Sequence, residues 1–219
     1  MNDLTEEEQV ERLKAFWSQY GMSIVIGVVL GGAGLFGWYQ WQDGQRSEAE
    51  AASAMFAEVA DAADAADITI LKSRHSALAE THPESPYVSQ ADLLLAALYM
   101  QRGETEEAQA TLETLLAREN GSVLEPLVAT RLARVLIYRD QAGEALEVLE
   151  RADADGYAAM FDEVRGDALV ALTRYDEARA AYQAALDSAG QPQLVDANLL
   201  DMKLGALPEA TAAVGDISE

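Results

Sequence analysis

Residues 87–119 read YVSQADLLLAALYMQRGETEEAQATLETLLARE, and their arrangement of small and large side chains returns twice further along the chain. An acid–alanine pair marks each copy: Glu107-Ala108, Glu144-Ala145 and Glu177-Ala178, with the alanines 37 and then 33 residues apart. A small residue stands twelve positions before each alanine, at Ala96, Ala133 and Gly166. Large residues follow at fixed offsets. Tyr99, Leu136 and Leu169 come three after the small residue, and Leu112, Leu149 and Tyr182 come four after the alanine. The turns between the halves read QRGETEEA, YRDQAGEA and TRYDEA.

A period near 34 residues, with small residues where two helices must approach, is the pattern of tetratricopeptide-like helix-turn-helix repeats. The units run 87–119, 123–152 and 158–187, and a lone helix over 193–204 is expected to cap them. The fold class that follows is all-α. The repeats with their cap occupy 86–205, and residues 206–219, which have little to bury, are expected to be disordered. Before the repeats, 44–85 reads as an irregular first helix pair. Its second helix covers 68–80 and stops at THPESP, where Pro83 and Pro86 punctuate the chain.

Upstream lies GMSIVIGVVLGGAGLFGWY, residues 21–39, with no charge between Lys14 and Asp43. A helix over 20–41 would be about 33 Å long, which matches a hydrocarbon core of about 30 Å. Phe16, Trp17 and Tyr20 stand at one end and Phe36, Trp38, Tyr39 and Trp41 at the other, where aromatic rings favour the headgroup layer. A single transmembrane helix is expected, preceded by a short tail over 1–19. Three rivals fit less well. A cleaved signal would want a basic start, whereas five acids precede the stretch. Gly32-Ala33-Gly34-Leu35-Phe36-Gly37 matches a dinucleotide fingerprint, but no strand flanks it. A buried core helix rarely carries aromatic girdles. Gly27 and Gly31, then Ala33 and Gly37, repeat a small-xxx-small spacing that suits a helix–helix contact in a membrane, although glycine is common in such helices. A possible break is read near Gly44. Arg12 and Lys14 against Arg46 favour a cytoplasmic amino terminus by a thin margin.

The chain carries a net charge of −23 over 219 residues and has no cysteine. Residues 44–219 hold 32 acids against 13 bases, a balance of −19. Such a surface repels phosphate backbones, so nucleic acid is not expected as a partner. Disulfide and thiolate chemistry are excluded. His75 and His82 lack any ligand spacing, Asp153-Ala154-Asp155-Gly156 lacks the third acid and distal glutamate of a calcium loop, and no nucleophile motif occurs. No enzyme activity, cofactor or metal is expected.

A binding surface fits better. In helix-pair solenoids the first helix of each unit lines a groove. That register points Leu93, Ala97, Met100 and Gln101 into it, with Arg131, Arg134 and Tyr138 from the second unit. Arg131 and Arg134 share a helix face and could hold a carboxylate or a peptide backbone. The competing reading pairs them with the chain's own Glu163 and Asp167.

Several segments together resemble one family. EEEQVERLKAFWSQYG, VIGVVLGGAGLFGWYQW, SPYVSQADLLLAALYM, RLARVLIYRDQAGEALEVL, VRGDALVALTRYDEARAAYQAAL and NLLDMKLGAL are similar, in order, to the YfgM-type ancillary subunit of the bacterial Sec translocon. The acidic amino-terminal tail is the departure. The resemblance implies a single-pass inner-membrane protein with its amino terminus in the cytoplasm and its repeats in the periplasm. It implies contacts with the translocon channel, with a membrane-anchored periplasmic chaperone of the prolyl-isomerase type and with exported nascent proteins. It also implies a link to a stress-response regulator. The alternative is a tethered repeat scaffold for another cell-envelope complex.

Overall fold

Helices account for most of the chain because Ala, Leu and Glu dominate it and, among the described residues, prolines fall outside the helix interiors. The computed structural model describes residues 6–188 and 195–208. The order is α1 (Glu6–Asp64), α2 (Ile68–Thr81), α3 (Pro86–Arg102), α4 (Thr105–Arg118), α5 (Glu125–Tyr138), α6 (Ala142–Arg151), α7 (Ala158–Ala171), α8 (Tyr175–Asp187) and α9 (Ala197–Ala206). The chain divides into two units, Met1–Ala54 and Met55–Glu219.

In the first unit α1 runs through Gly44 without the break expected there. One glycine costs a helix about 1 kcal/mol relative to alanine, and the Ala/Glu-rich sequence that follows carries the helix on. The bend lies earlier, where Val10–Ser23 and Val25–Asp64 incline by 42°. No single described helix is long and apolar enough to cross a membrane. Taken together, these two segments have the length and composition of a span. All of residues 25–41 are exposed, including Val28, Leu30, Leu35 and Phe36.

In the second unit, α3 with α4, α5 with α6 and α7 with α8 form three helix pairs, flanked by α2 and α9. The twelve positions that defined the repeat are all buried. Ala96, Ala133 and Gly166 face their pair partners, as do Ala108, Ala145 and Ala178, with Tyr99, Leu136, Leu169, Leu112, Leu149 and Tyr182 packed around them. The fit is tightest in the third pair, where a Cβ on Gly166 would lie 2.3 Å from the Tyr182 ring. Leucine stands opposite alanine in the first two pairs, and tyrosine opposite glycine in the third.

The three turns are built alike. Gly103, Asp140 and Thr173 occupy the same place and share left-handed φ values of 77°, 62° and 59°. Their N–H groups donate to Met100, Ile137 and Val170, and the next N–H in each turn donates back to Tyr99, Leu136 and Leu169. The unequal repeat spacing also has a simple cause. Helix α4 has 14 residues and α6 has 10, so the four extra residues form one more helical turn and leave the register intact.

Asp67 caps α2 by accepting from the N–H groups of Thr69 and Ile70, and Ser85 caps α3 just before Pro86. The capping helix begins at Ala197, later than expected, with Asp196 accepting from Asn198 and Leu199. Residues 193 and 194, where that helix is expected to start, lie outside the described residues. So do residues 1–5 of the expected tail and residues 209–219 of the expected disordered end.

Candidate functional site

First helices of neighbouring repeats meet differently along the stack. Helices α5 and α7 pack against each other, whereas α3 and α5 are not packed face to face. Between α3 and α5 lies an open cleft of about 450 Å³. Leu93, Ala96, Ala97 and Met100 line it from α3, Leu112 from α4, and Arg131, Arg134, Val135 and Tyr138 from α5. Leu93, Ala96, Leu112 and Val135 form a buried apolar floor. The two arginines are exposed, and Tyr138 stands 69% exposed at the rim.

Six groove residues named from the sequence thus come together: Leu93, Ala97, Met100, Arg131, Arg134 and Tyr138. Three do not. Gln101 is exposed near the end of α3 and does not line the cleft. Glu163, buried, and Asp167, half-buried, belong to a different network. Lys203 on α9 donates to Glu163 Oε1 at 2.8 Å and to Asp167 Oδ2 at 2.9 Å. Tyr182 donates to Asp167 Oδ1 at 2.8 Å. Burial first, then the hydrogen bond to Asp167 and the charges of Asp167 and Glu163, push the Tyr182 hydroxyl well above the ordinary tyrosine range. The pairing once expected between the arginines and these acids is therefore largely replaced by Lys203. Only Arg134 reaches Glu163, and only at 3.5 Å, too long for a good hydrogen bond. Arg131 has no ion pair or hydrogen bond among the described residues.

A polar cluster that sequence reading missed ties α2, α3 and α4 together. His75 Nε2 donates to Asp92 Oδ1 at 2.6 Å, and Arg118 donates to Asp92 Oδ2. Ser89 donates to Glu119 at 2.5 Å, and Ser122 donates to the same carboxylate at 2.6 Å. Burial opposes ionisation of Asp92, but the hydrogen bonds and charges of His75 and Arg118 outweigh it and hold the carboxyl below the ordinary range. Hydrogen bonds from Ser122 and Ser89 do the same for Glu119. Every polar member has a partner, so the cluster reads as a clamp on the first helices. Among the described residues no group of three acids or histidines is placed to hold a metal ion.

On α1, a Cβ at Gly27, Gly31 or Gly37 would meet nothing within 4 Å. At about 100° per residue, Gly27, Gly31 and Gly34 share one face, while Ala33 and Gly37 lie about 80–120° away from Gly27. The two small-xxx-small pairs, Gly27 with Gly31 and Ala33 with Gly37, therefore fall on two faces.

The profile of the family described as tetratricopeptide repeat-like domain matches residues 14–209. The ancillary SecYEG translocon subunit of Escherichia coli (strain K12) is 31% identical over 202 residues, covering 92% of this chain and 96% of that one. The chain belongs to this family of ancillary translocon subunits. The subunit of Neisseria gonorrhoeae is 30% identical over 132 residues, 60% of this chain and 63% of the relative. That of Haemophilus influenzae is 26% identical over 93% of this chain and 98% of the relative. Among solved structures, the crystal structure of BtubC from P. vanneervenii aligns with a TM-score of 0.50 at 20% identity, over 74% of this chain and 82% of that one. It shares the fold.

Proposed function

We propose that this family member is a membrane-anchored interaction subunit that attaches to the Sec translocon and contacts exported proteins or their chaperones through its repeats. One observation carries the interaction part: an apolar cleft rimmed by Arg131 and Arg134, open between the first helices of two neighbouring repeats. The names of the relatives support the translocon as the docking partner. The membrane reading rests on α1, whose apolar side chains over residues 25–41 are exposed on every face and need an apolar solvent. The aromatic side chains at its ends suit the interface layers, with Phe16 against Tyr20 and Trp38 against Trp41 at ring separations of 5.1 and 5.3 Å. In this reading the amino terminus is cytoplasmic, the repeats are periplasmic, and the partners are the channel, a prolyl-isomerase-type chaperone, exported chains and a stress-response regulator. The Gly27/Gly31/Gly34 face, with Ala33 and Gly37 on a second face, offers a close-approach surface to another membrane helix.

The test is a site-specific photocrosslinking scan in native membranes, with probes at Val28, Leu35, Met100, Arg134 and Asp167. Channel subunits captured from Val28 or Leu35, with a chaperone or nascent chains captured from Met100 or Arg134, are expected. Because Asp167 faces Lys203, its probe should capture less than those in the cleft. Capture of outer-membrane assembly factors alone would replace this reading with a tethered scaffold for another envelope complex.

A further inference from the structure

Following one register down the first helices, the concave side changes character. Leu93 and Ala97 on α3 correspond to Thr130 and Arg134 on α5, and these to Glu163 and Asp167 on α7. The surface therefore passes from apolar to cationic to acidic. An arginine beside a buried carboxylate should close onto it, since a two-pronged guanidinium–carboxylate pair is among the stronger polar contacts available. Here it does not. Lys203, 22% exposed, reaches in from the capping helix and takes both Glu163 at 2.8 Å and Asp167 at 2.7 Å. Its ammonium also lies 5.6 Å from the centre of the Tyr182 ring. Leu200, buried in the cluster with Ala159, Tyr182, Ala185 and Val195, fixes α9 in place and so fixes the lysine. With its acid satisfied from the other side, Arg134 stays 47% exposed and leans toward the cleft. Arg131 is uncommitted altogether.

We propose, resting on the reading of the cleft as the contact surface, that it takes a large apolar side chain followed closely by a carboxylate, and that Lys203 acts as a positioning residue that holds Glu163, so that Arg134 pairs with that acid only loosely and remains available to the incoming carboxylate. The apolar floor of Leu93, Leu112 and Val135 seats the side chain. Tyr138 stands at its rim, and the two arginines supply donors on one edge. One unpaired arginine and one loosely paired arginine at an apolar cleft, in a chain of net charge −23, are a local exception to its field, and that exception selects an acidic occupant over a basic one. At physiological salt the remote acids are screened beyond about 8 Å, so the nearby arginines decide the sign.

The experiment uses the full chain in detergent micelles and two fluorescein-labelled probe peptides. One has a leucine followed by an aspartate and a free carboxyl end, and the other has asparagine and an amidated end. Fluorescence anisotropy should show tighter binding of the acidic peptide, with the preference lost in Arg131→Gln/Arg134→Gln, a change of about tenfold for two charge-assisted contacts at a partly exposed site. Lys203→Met should weaken the acidic peptide by roughly threefold without touching the cleft, because Arg134 then turns to Glu163. Adding Glu163→Gln to Lys203→Met should restore binding, which a merely structural role for Lys203 would not produce. Lys203→Arg, which keeps the cation, serves where Lys203→Met melts too low to assay, and it should bind as the parent does. If the double arginine variant binds both peptides as the parent does, the cleft is not the contact surface and both readings fall. If that variant loses the preference while Lys203→Met does not weaken binding, or Glu163→Gln fails to rescue it, the role of Lys203 falls and the cleft remains.

Discussion

The junction between α3 and α5 is open, and the junction between α5 and α7 is closed, although both are built from the same repeat positions. At the closed junction Thr130 meets Met160, with Oγ1 3.9 Å from the sulfur, while its hydroxyl donates back to Pro126 and Leu127. Phe161 and Val164 on α7 are wholly buried. At the open junction the corresponding face of α3 offers Leu93 and Ala97, and α5 lines the cleft with Arg131, Arg134, Val135 and Tyr138. Repeat geometry decides which helices become neighbours, and the bulk at two or three positions decides whether the neighbours touch. A binding cleft in such a stack is a junction left unfilled.

The strongest way to break the closed end is at Gly166. Alanine there puts a Cβ 2.3 Å from the ring of Tyr182, which is itself buried and has no free space to turn into. Gly166→Ala should lose about 1–3 kcal/mol of stability by urea unfolding, as overpacked cores do. Tyr182→Leu added to it would restore the alanine–leucine pairing of the first two repeats, so the double variant should be more stable than the sum of the singles.

The next effect in size concerns the clamp on the first helices. Asp92→Asn should cost about 1–2 kcal/mol at neutral pH, since His75 and Arg118 lose a charged acceptor. Because the folded-state pKa of Asp92 is depressed, its contribution is whole above the ordinary aspartate range and disappears as pH falls through the lower folded value. Urea midpoints of the parent and of Asp92→Asn should therefore converge in strong acid. Asp162 works the other way. Burial outweighs Arg165 and raises its pKa, so its ionised form costs stability at neutral pH, and the cost is relieved on acidification.

A smaller gain is available at the turns. Thr173 holds φ 59° where the first repeat has Gly103 at 77°. A β-branched residue is strained in that region, so Thr173→Gly should stabilise the chain by about 1 kcal/mol in thermal or urea melts. Gly103→Thr should lose a similar amount.

The repeat core was legible from the sequence because it is written locally. Ala96, Leu112 and their counterparts sit at fixed offsets within one helix pair, and a small residue opposite a large one can be read without knowing the rest of the fold. The six cleft residues were legible for the same reason, since the three on α3 share one face of that helix and the three on α5 share one face of theirs. The fate of Glu163 and Asp167 was not. Their partner Lys203 lies about 40 residues on, on a helix whose docking depends on Leu200 and Val195 finding a pocket beside Tyr182. The Asp92 clamp was hidden likewise, because His75 and Arg118 reach it from helices on either side of α3. The bend in α1 near residue 24 carries no proline and left no signal, whereas Gly44, which invites a break, does not produce one.

The smallest expected change in stability belongs to the substitution that sharpens the comparison most. Ala97 is exposed and lines the cleft from α3, opposite Arg134 and Tyr138. Leucine there would supply the bulk that the closed junction obtains from Met160, without displacing any buried neighbour. Ala97→Leu should leave the unfolding midpoint within about 0.5 kcal/mol of the parent, as surface substitutions do. Binding should respond in the opposite proportion, with the acidic leucine peptide losing most of its affinity because its seat is occupied. Unchanged stability with lost binding would show that openness at this one junction is a property the fold can give up at no cost to itself. A clear drop in stability would mean instead that α3 and α5 already sit as close as their backbones permit.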